Sequence, residues 1–133
     1  MKKVLMIILI NFVFVGCTIP INQSEPPLVT MIVKENNVTS SSIAILLTNH
    51  SDSNISHGVG FGIQYYSNGF WFNVDTLDGE EPSFILKALV LEANQTVEIE
   101  YNWQYIYGDL SPGTYRFYKI INNQQISAEF TIN

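Results

Sequence analysis

The sequence predicts an all-β fold, an antiparallel sandwich of about seven to eight strands, set behind a separate N-terminal export signal. Three observations predict it. Apolar residues recur with period two, and no window sustains a 3.6-residue repeat over three turns. Short apolar runs are cut by Asn, Ser, Gly and Asp at the spacing of a sandwich or barrel. The first sixteen residues follow neither pattern.

Those sixteen residues come first in the chain. Lys2 and Lys3 give a positive start, and Val4 to Val15 is apolar throughout except for Asn11. Such a stretch has the length of a signal-peptide apolar region. As a helix it would span about 18 Å at ~1.5 Å per residue, too short for a bilayer core of ~30 Å. Small Gly16 follows, then Cys17, the one cysteine of the chain. The run Val13-Phe14-Val15-Gly16-Cys17 resembles the lipobox of bacterial lipoproteins, with Phe14 where that family favours Leu. The resemblance implies cleavage before Cys17 and a diacylglycerol on its thiol, so the membrane partner is engaged through lipid. It places the protein on the extracytoplasmic face of the cell membrane. In a Gram-negative host the outer membrane follows, since Thr18 is not the usual Asp retention signal.

The implied processing divides the chain into a signal peptide (1–16), a lipid-anchored tether (17–27) and a domain (28–133). Residues 18–27, TIPINQSEPP, are polar and carry three prolines, which suits an extended tether. From Cys17 onward four cations, Lys34, Lys87, Arg116 and Lys119, face twelve acids, a net charge of −8. Phosphate neutralisation needs clustered cations, so nucleic acid is excluded as a partner. Anionic headgroups would repel the domain, leaving the lipid to hold it at the membrane. With one cysteine, an intramolecular disulfide is impossible.

The strands follow in order. Val29, Met31 and Val33 form one inward row; Ile43, Ile45 and Leu47 form another. Residues 62–66 and 70–74 flank Ser67-Asn68-Gly69, where Asn-Gly supplies the positive φ angles of a tight hairpin. Residues 84–91 are apolar and read as a strand of unclear register. Residues 96–103 are the clearest case: Val97, Ile99, Tyr101 and Trp103 share a face, with Glu98, Glu100 and Asn102 opposite. Residues 115–121 and 124–132 flank Asn122-Asn123 as a last hairpin.

In the segment Asp109-Leu110-Ser111-Pro112-Gly113-Thr114-Tyr115, Pro and Gly make a turn, Leu110 can plug the core, and Tyr115 opens a strand. It resembles the tyrosine corner of immunoglobulin-like sandwiches, in which the Tyr hydroxyl bonds back to nearby backbone. Two residues on, where antibody domains place a disulfide cysteine, stands Phe117. With Val29-Thr30-Met31, Thr48-Asn49, Asn68-Gly69 before Trp71, Arg116 and Lys119, residues 29–132 are similar to a bacterial immunoglobulin-like domain of small exported proteins. The resemblance implies an immunoglobulin-like sandwich and carries no active site. The Trp of an antibody-like third strand is absent, and so is the cysteine of the second.

Candidate chemistry is sparse. His50, Asp52 and His57 border the polar stretch NHSDSNISHG, but their spacing matches no zinc motif, and the histidines read as solvated loop residues. Asp75, Asp78, Glu80 and Glu81 crowd one loop; the order does not match an EF-hand, so a solvated turn is expected, with calcium an open question. There is no G-x-S-x-G elbow. Gly58, Gly60 and Gly62 alternate along an expected strand, which suggests a bulge or a close backbone approach. Five N-x-S/T sequons, at Asn22, Asn37, Asn49, Asn54 and Asn94, are incidental in a bacterial chain. No cofactor or metal is expected. The aromatics are the best binding feature: Trp71, beside Tyr65 or Tyr66, would stack on a sugar or anchor a protein if it faces solvent. The expected function is a tethered, non-catalytic module that binds an envelope protein or glycan. A tethered inhibitor of an extracellular protease is the alternative, although the loop motifs of chagasin-like inhibitors are not all present. A hydrolase using the 75–81 acids is third.

Overall fold

The computed structural model describes residues 25–133. The signal peptide, Cys17 and most of the tether lie outside the described residues.

Among the described residues, nine short strands and one helical turn make an immunoglobulin-like antiparallel sandwich. The order is β1 (Val29–Val38), β2 (Ser42–Asn49), β3 (Ile55–Gly58), β4 (Gly62–Ser67), β5 (Phe70–Asn73), β6 (Ala88–Leu91), β7 (Thr96–Asn102), α1 (Gln104–Tyr107), β8 (Gly113–Ile121) and β9 (Gln124–Ile132). One sheet runs β1-β2-β7, the other β5-β4-β8-β9, and β3 pairs with β6. The registers show why nine strands amount to seven lines. β5 descends along β4 with Asn73 opposite Gln64, and β6 continues the descent along β3 with Ala88 opposite Gly58. Thus β3–β4 and β5–β6 are two long neighbouring strands interrupted at the same level. At that level residues 74–87 leave the sheet as an excursion.

Period-two patterning fixes the inner faces. Ile43, Ile45, Leu47 and Tyr101 from the first sheet meet Ile63, Phe117, Ile121, Phe130 and Ile132 from the second, all buried. Phe117, fully buried, stacks on Phe61 with centroids 5.1 Å apart and lies 4.8 Å from Tyr101. The tryptophan missing from the third strand is supplied from elsewhere. Trp103, just past β7, is fully buried against Phe130 and donates its indole N–H to the Ser40 carbonyl at 3.0 Å. At the far end of β2, buried Asn49 donates to the carbonyls of Ser53 and Leu91 at 2.8 and 3.1 Å, which ties this strand to β6.

The turns use the expected residues. Asn68 and Gly69 have φ of 50° and 84°, and Asn122 and Asn123 have 51° and 60°, the left-handed values a two-residue hairpin needs. At the start of β8, buried Leu110 donates its N–H to the Ser40 carbonyl, and Gly113 opens the strand. The Tyr115 hydroxyl donates to the Ser111 carbonyl at 2.7 Å, across the Pro112-Gly113 turn. Tyr115→Phe should therefore lose about 1 kcal/mol of stability, measured by urea unfolding; an unchanged midpoint would show that this bond holds nothing.

The structure departs from the sequence reading in three places. Of residues 84–91, only Ala88–Leu91 is strand, because the edge it would join is interrupted. The stretch read as a polar loop with solvated histidines contains β3, and His57 is buried there. Its inward neighbour Ile55 is buried too, but a four-residue strand in a Ser/Asn-rich context leaves little pattern. Finally, Trp103 ends the β7 face by turning into α1 instead of extending the strand.

Candidate binding surface

The β4–β5 hairpin concentrates exposed aromatic area. Cross-strand register pairs Tyr65 with Phe72 and Tyr66 with Trp71, so the two pairs fall on opposite faces. Tyr65 and Phe72 stack at 5.5 Å on the face that elsewhere forms the core. Here the hairpin overhangs the opposing sheet, and Tyr65, Phe70 and Phe72 remain 39%, 68% and 44% exposed. The exposed edge strand β5 bears neither charge nor proline, the usual devices that blunt such an edge.

On the outer face, Tyr66 is 49% exposed and lies 5.1 Å from Trp71, which is half-buried. The cause of that burial is Arg116 on β8. Its guanidinium carbon sits 4.6 Å from the Trp71 ring centroid, a cation–π contact. Arg116 Nε donates to Gln64 Oε1 at 2.6 Å, and Gln64 Nε2 donates to Asn73 Oδ1 at 2.9 Å. Of the three aromatics singled out by sequence, Tyr66 and Trp71 are thus brought together and Tyr65 is turned away. Arg116 was not foreseen as their partner. It stands 45 positions from Trp71, and only the registers of β4 with β5 and β8 reveal the pairing.

The acidic excursion forms one wall of a cleft of about 730 Å³ floored by Phe61, Phe84, Tyr107 and Tyr118. Asp78 Oδ1 accepts from the Glu80 N–H and the Thr76 hydroxyl at 3.0 and 3.1 Å, and these bonds hold its carboxyl below the usual range. Its role in the turn is therefore structural. His50 Nε2 lies 2.7 Å from the Thr30 hydroxyl, while His57 Nδ1 lies 3.2 Å from the Gly58 carbonyl, each histidine engaged with its own neighbours. Among the described residues no three His, Cys, Asp or Glu side chains converge as metal ligands.

Behind the interrupted strands lies an ammonium group with no carboxylate partner among the described residues. Lys119 on β8 is 2% exposed and donates to the carbonyls of Gly58 and Gly60, each at 2.8 Å. Its Nζ lies 5.4 Å from the Tyr101 ring centroid. Burial pushes Lys119 down to about 8 and Tyr101 up to about 12, and the Tyr101 hydroxyl has no hydrogen-bond partner among the described residues. His57 is held below its ordinary value by burial first and by the Lys119 charge second. The alternating glycines are explained here: two lend their carbonyls to Lys119, and the Tyr118 ring lies directly on Gly62, where no Cβ fits.

Sandwich, corner and Phe117-centred core together describe a known architecture, and the sequence matches the profile of the bacterial Ig-like domain over residues 25–131. The chain belongs to the bacterial Ig-like domain family. No curated protein shows a significant match to it. Within this Ig-like domain, of the residues that carry the likeness, Trp71 and Arg116 meet on the outer face of the hairpin sheet, while Leu110, Gly113 and Tyr115 serve the core and its corner. The exposed aromatics of β4–β5 are spared from that duty. An Ig-like sandwich carries no function by its fold alone, so the hairpin is where its chemistry has to be sought.

Proposed function

We propose that this chain is a lipid-anchored, extracytoplasmic Ig-like module that binds an envelope protein or glycan and performs no catalysis of its own. The reading of Cys17 as the lipidated residue rests on its place after Gly16 at the end of the apolar N-terminal stretch. The observation that carries the binding role is the hairpin, where Phe70, Tyr66, Phe72 and Tyr65 are all at least 39% exposed. Exposed aromatic clusters of this kind are where binding energy concentrates, because large rigid side chains lose little entropy on contact.

One fractionation experiment tests both halves, with full-length wild type, Cys17→Ser and Phe70→Ser/Phe72→Ser produced in a bacterial host. Wild type should lose residues 1–16, gain acyl mass and partition into detergent; Cys17→Ser should do none of these. The hairpin variant should stay in the membrane and lose at least tenfold of the wild-type capture of purified envelope fragments. Detergent partitioning of Cys17→Ser like wild type would sink the anchor. Undiminished capture by the hairpin variant would sink the contact surface.

A further inference from the structure

The outer face of the β5-β4-β8-β9 sheet has an unusual make-up. Register places Gln64 and Tyr66 of β4, Trp71 and Asn73 of β5, and Thr114 and Arg116 of β8 on it together. These six are amide, hydroxyl and aromatic groups around a single guanidinium; the exposed aliphatic Ile120 of the same face lies four residues along β8 from Arg116. Amides and hydroxyls match the donors and acceptors of sugar hydroxyls, and aromatic rings match the apolar faces of pyranose rings. A protein partner would instead favour the apolar overhang on the opposite face, formed by Tyr65, Phe70 and Phe72.

Arg116 is held in an unexpected way. Its directly opposite neighbour on β9 is Glu129, and opposite charges so placed ordinarily pair. Here they do not: the ion pair found among the described residues is Lys34–Glu98, elsewhere in the fold. Arg116 gives Nε to Gln64, which is itself held by Asn73, and places its guanidinium carbon over the Trp71 ring, which Tyr66 backs. Its two terminal nitrogens make no hydrogen bond among the described residues. A guanidinium fixed at one nitrogen and by one face, with its outer pair of donors unspent, is arranged to take a carboxylate in bidentate fashion with little further ordering.

We propose that this outer face binds a saccharide bearing a single carboxylate, clamped by Arg116 and flanked by Tyr66, Gln64 and Asn73. The proposal rests on the reading of the chain as a binding module and adds a second contact face with its own ligand class, on the side of the hairpin opposite Phe70 and Phe72. One carboxylate, not many, follows from charge. The chain beyond residue 16 carries four cations against twelve acids, so a polyanion is repelled over its whole length. Glu129 next to the clamp disfavours a second acid. A uronate set in an otherwise neutral oligosaccharide satisfies both conditions.

The test uses an otherwise neutral β-linked trisaccharide containing one glucuronate, beside the same trisaccharide with that uronate reduced to glucose. Titrations follow the Trp71 indole and backbone amides by ¹H–¹⁵N NMR, with Kd from the fitted shifts. The uronate form should bind at least tenfold more tightly than the reduced form. Arg116→Gln should erase that preference, and Glu129→Gln should tighten the uronate form two- to fivefold, an effect that a merely structural Arg116 would not produce. Equal affinity for the two sugars, a preference that survives Arg116→Gln, or failure of the uronate form to bind would overturn the proposal. If the sugars fail while Phe70→Ser/Phe72→Ser still abolishes envelope capture, this ligand assignment falls and the binding module stands. If both fail, the module falls with it.

Discussion

Phe117→Ala should destabilise the domain by about 4 kcal/mol, the range of a fully buried Phe truncated to Ala. Small domains hold roughly 5–15 kcal/mol in total, so the variant is expected to sit near the edge of unfolding at 37 °C. The reason is position. Phe117 stands two residues beyond the corner tyrosine, between the sheets, with Phe61 stacked at 5.1 Å and Tyr101 at 4.8 Å. In antibody-type sandwiches that place belongs to a disulfide, which typically contributes 2–4 kcal/mol. Here a knot of aromatic rings joins the sheets without a covalent link. Phe117→Leu keeps most of the volume and should cost less than half as much. Urea unfolding monitored at tryptophan emission measures both. A loss below 1 kcal/mol for the alanine variant would mean that the sheets are held together elsewhere.

The second large effect depends on pH. Lys119 is held near 8 in the folded protein by burial, against an ordinary value of 10.5. Between those values the unfolded chain binds more protons than the folded one, so stability rises with pH. At ~1.4 kcal/mol per unit, the gain from pH 7 to pH 10 is about 2–3 kcal/mol. Lys119→Met removes the titrating group and keeps the packing stem, while the Gly58 and Gly60 carbonyls lose their donor. Unfolding free energies of the two proteins, measured at intervals from pH 7 to 10, should therefore diverge, with wild type gaining on the variant. Above pH 10 Tyr101 acts in the opposite direction, since its raised value lets the folded state keep a proton the unfolded state loses. A wild-type advantage that stays flat with pH would refute the burial of a charge-bearing Lys119.

Legibility in the sequence followed the range of the interactions. β7 could be read residue by residue because its alternation is a local property, and the Asn-Gly and Asn-Asn hairpins because the turn residues dictate positive φ. The corner at residues 109–115 was legible for the same reason. The interruption of the β3–β4 strand was not, because its two stranded carbonyls are satisfied by an ammonium some sixty residues onward. Likewise the alternation around Trp71 does not tell a core residue from a free platform. Trp71 is neither, since the Arg116 that covers it arrives through the pairing of β8 with β4. Tyr65 and Tyr66 illustrate a limit of adjacency: being neighbours in sequence places them on opposite sides of the sheet.

The placement of β1 has a mechanical consequence. Its last residues share a groove with the end of β9, where Val38 and Asn36 lie near Thr131 and Asn133. The two strands therefore run side by side in the same direction, and the two ends of the domain lie at opposite poles. A pulling force between those poles acts along the strands and loads the β1–β2 ladder in shear. Its hydrogen bonds, from Val29–Asn49 to Val33–Ile45, must then yield together instead of opening one after another. Tugged from Leu28 at one pole and Asn133 at the other, the sandwich should yield as a shear clamp, its β1–β2 bonds breaking together.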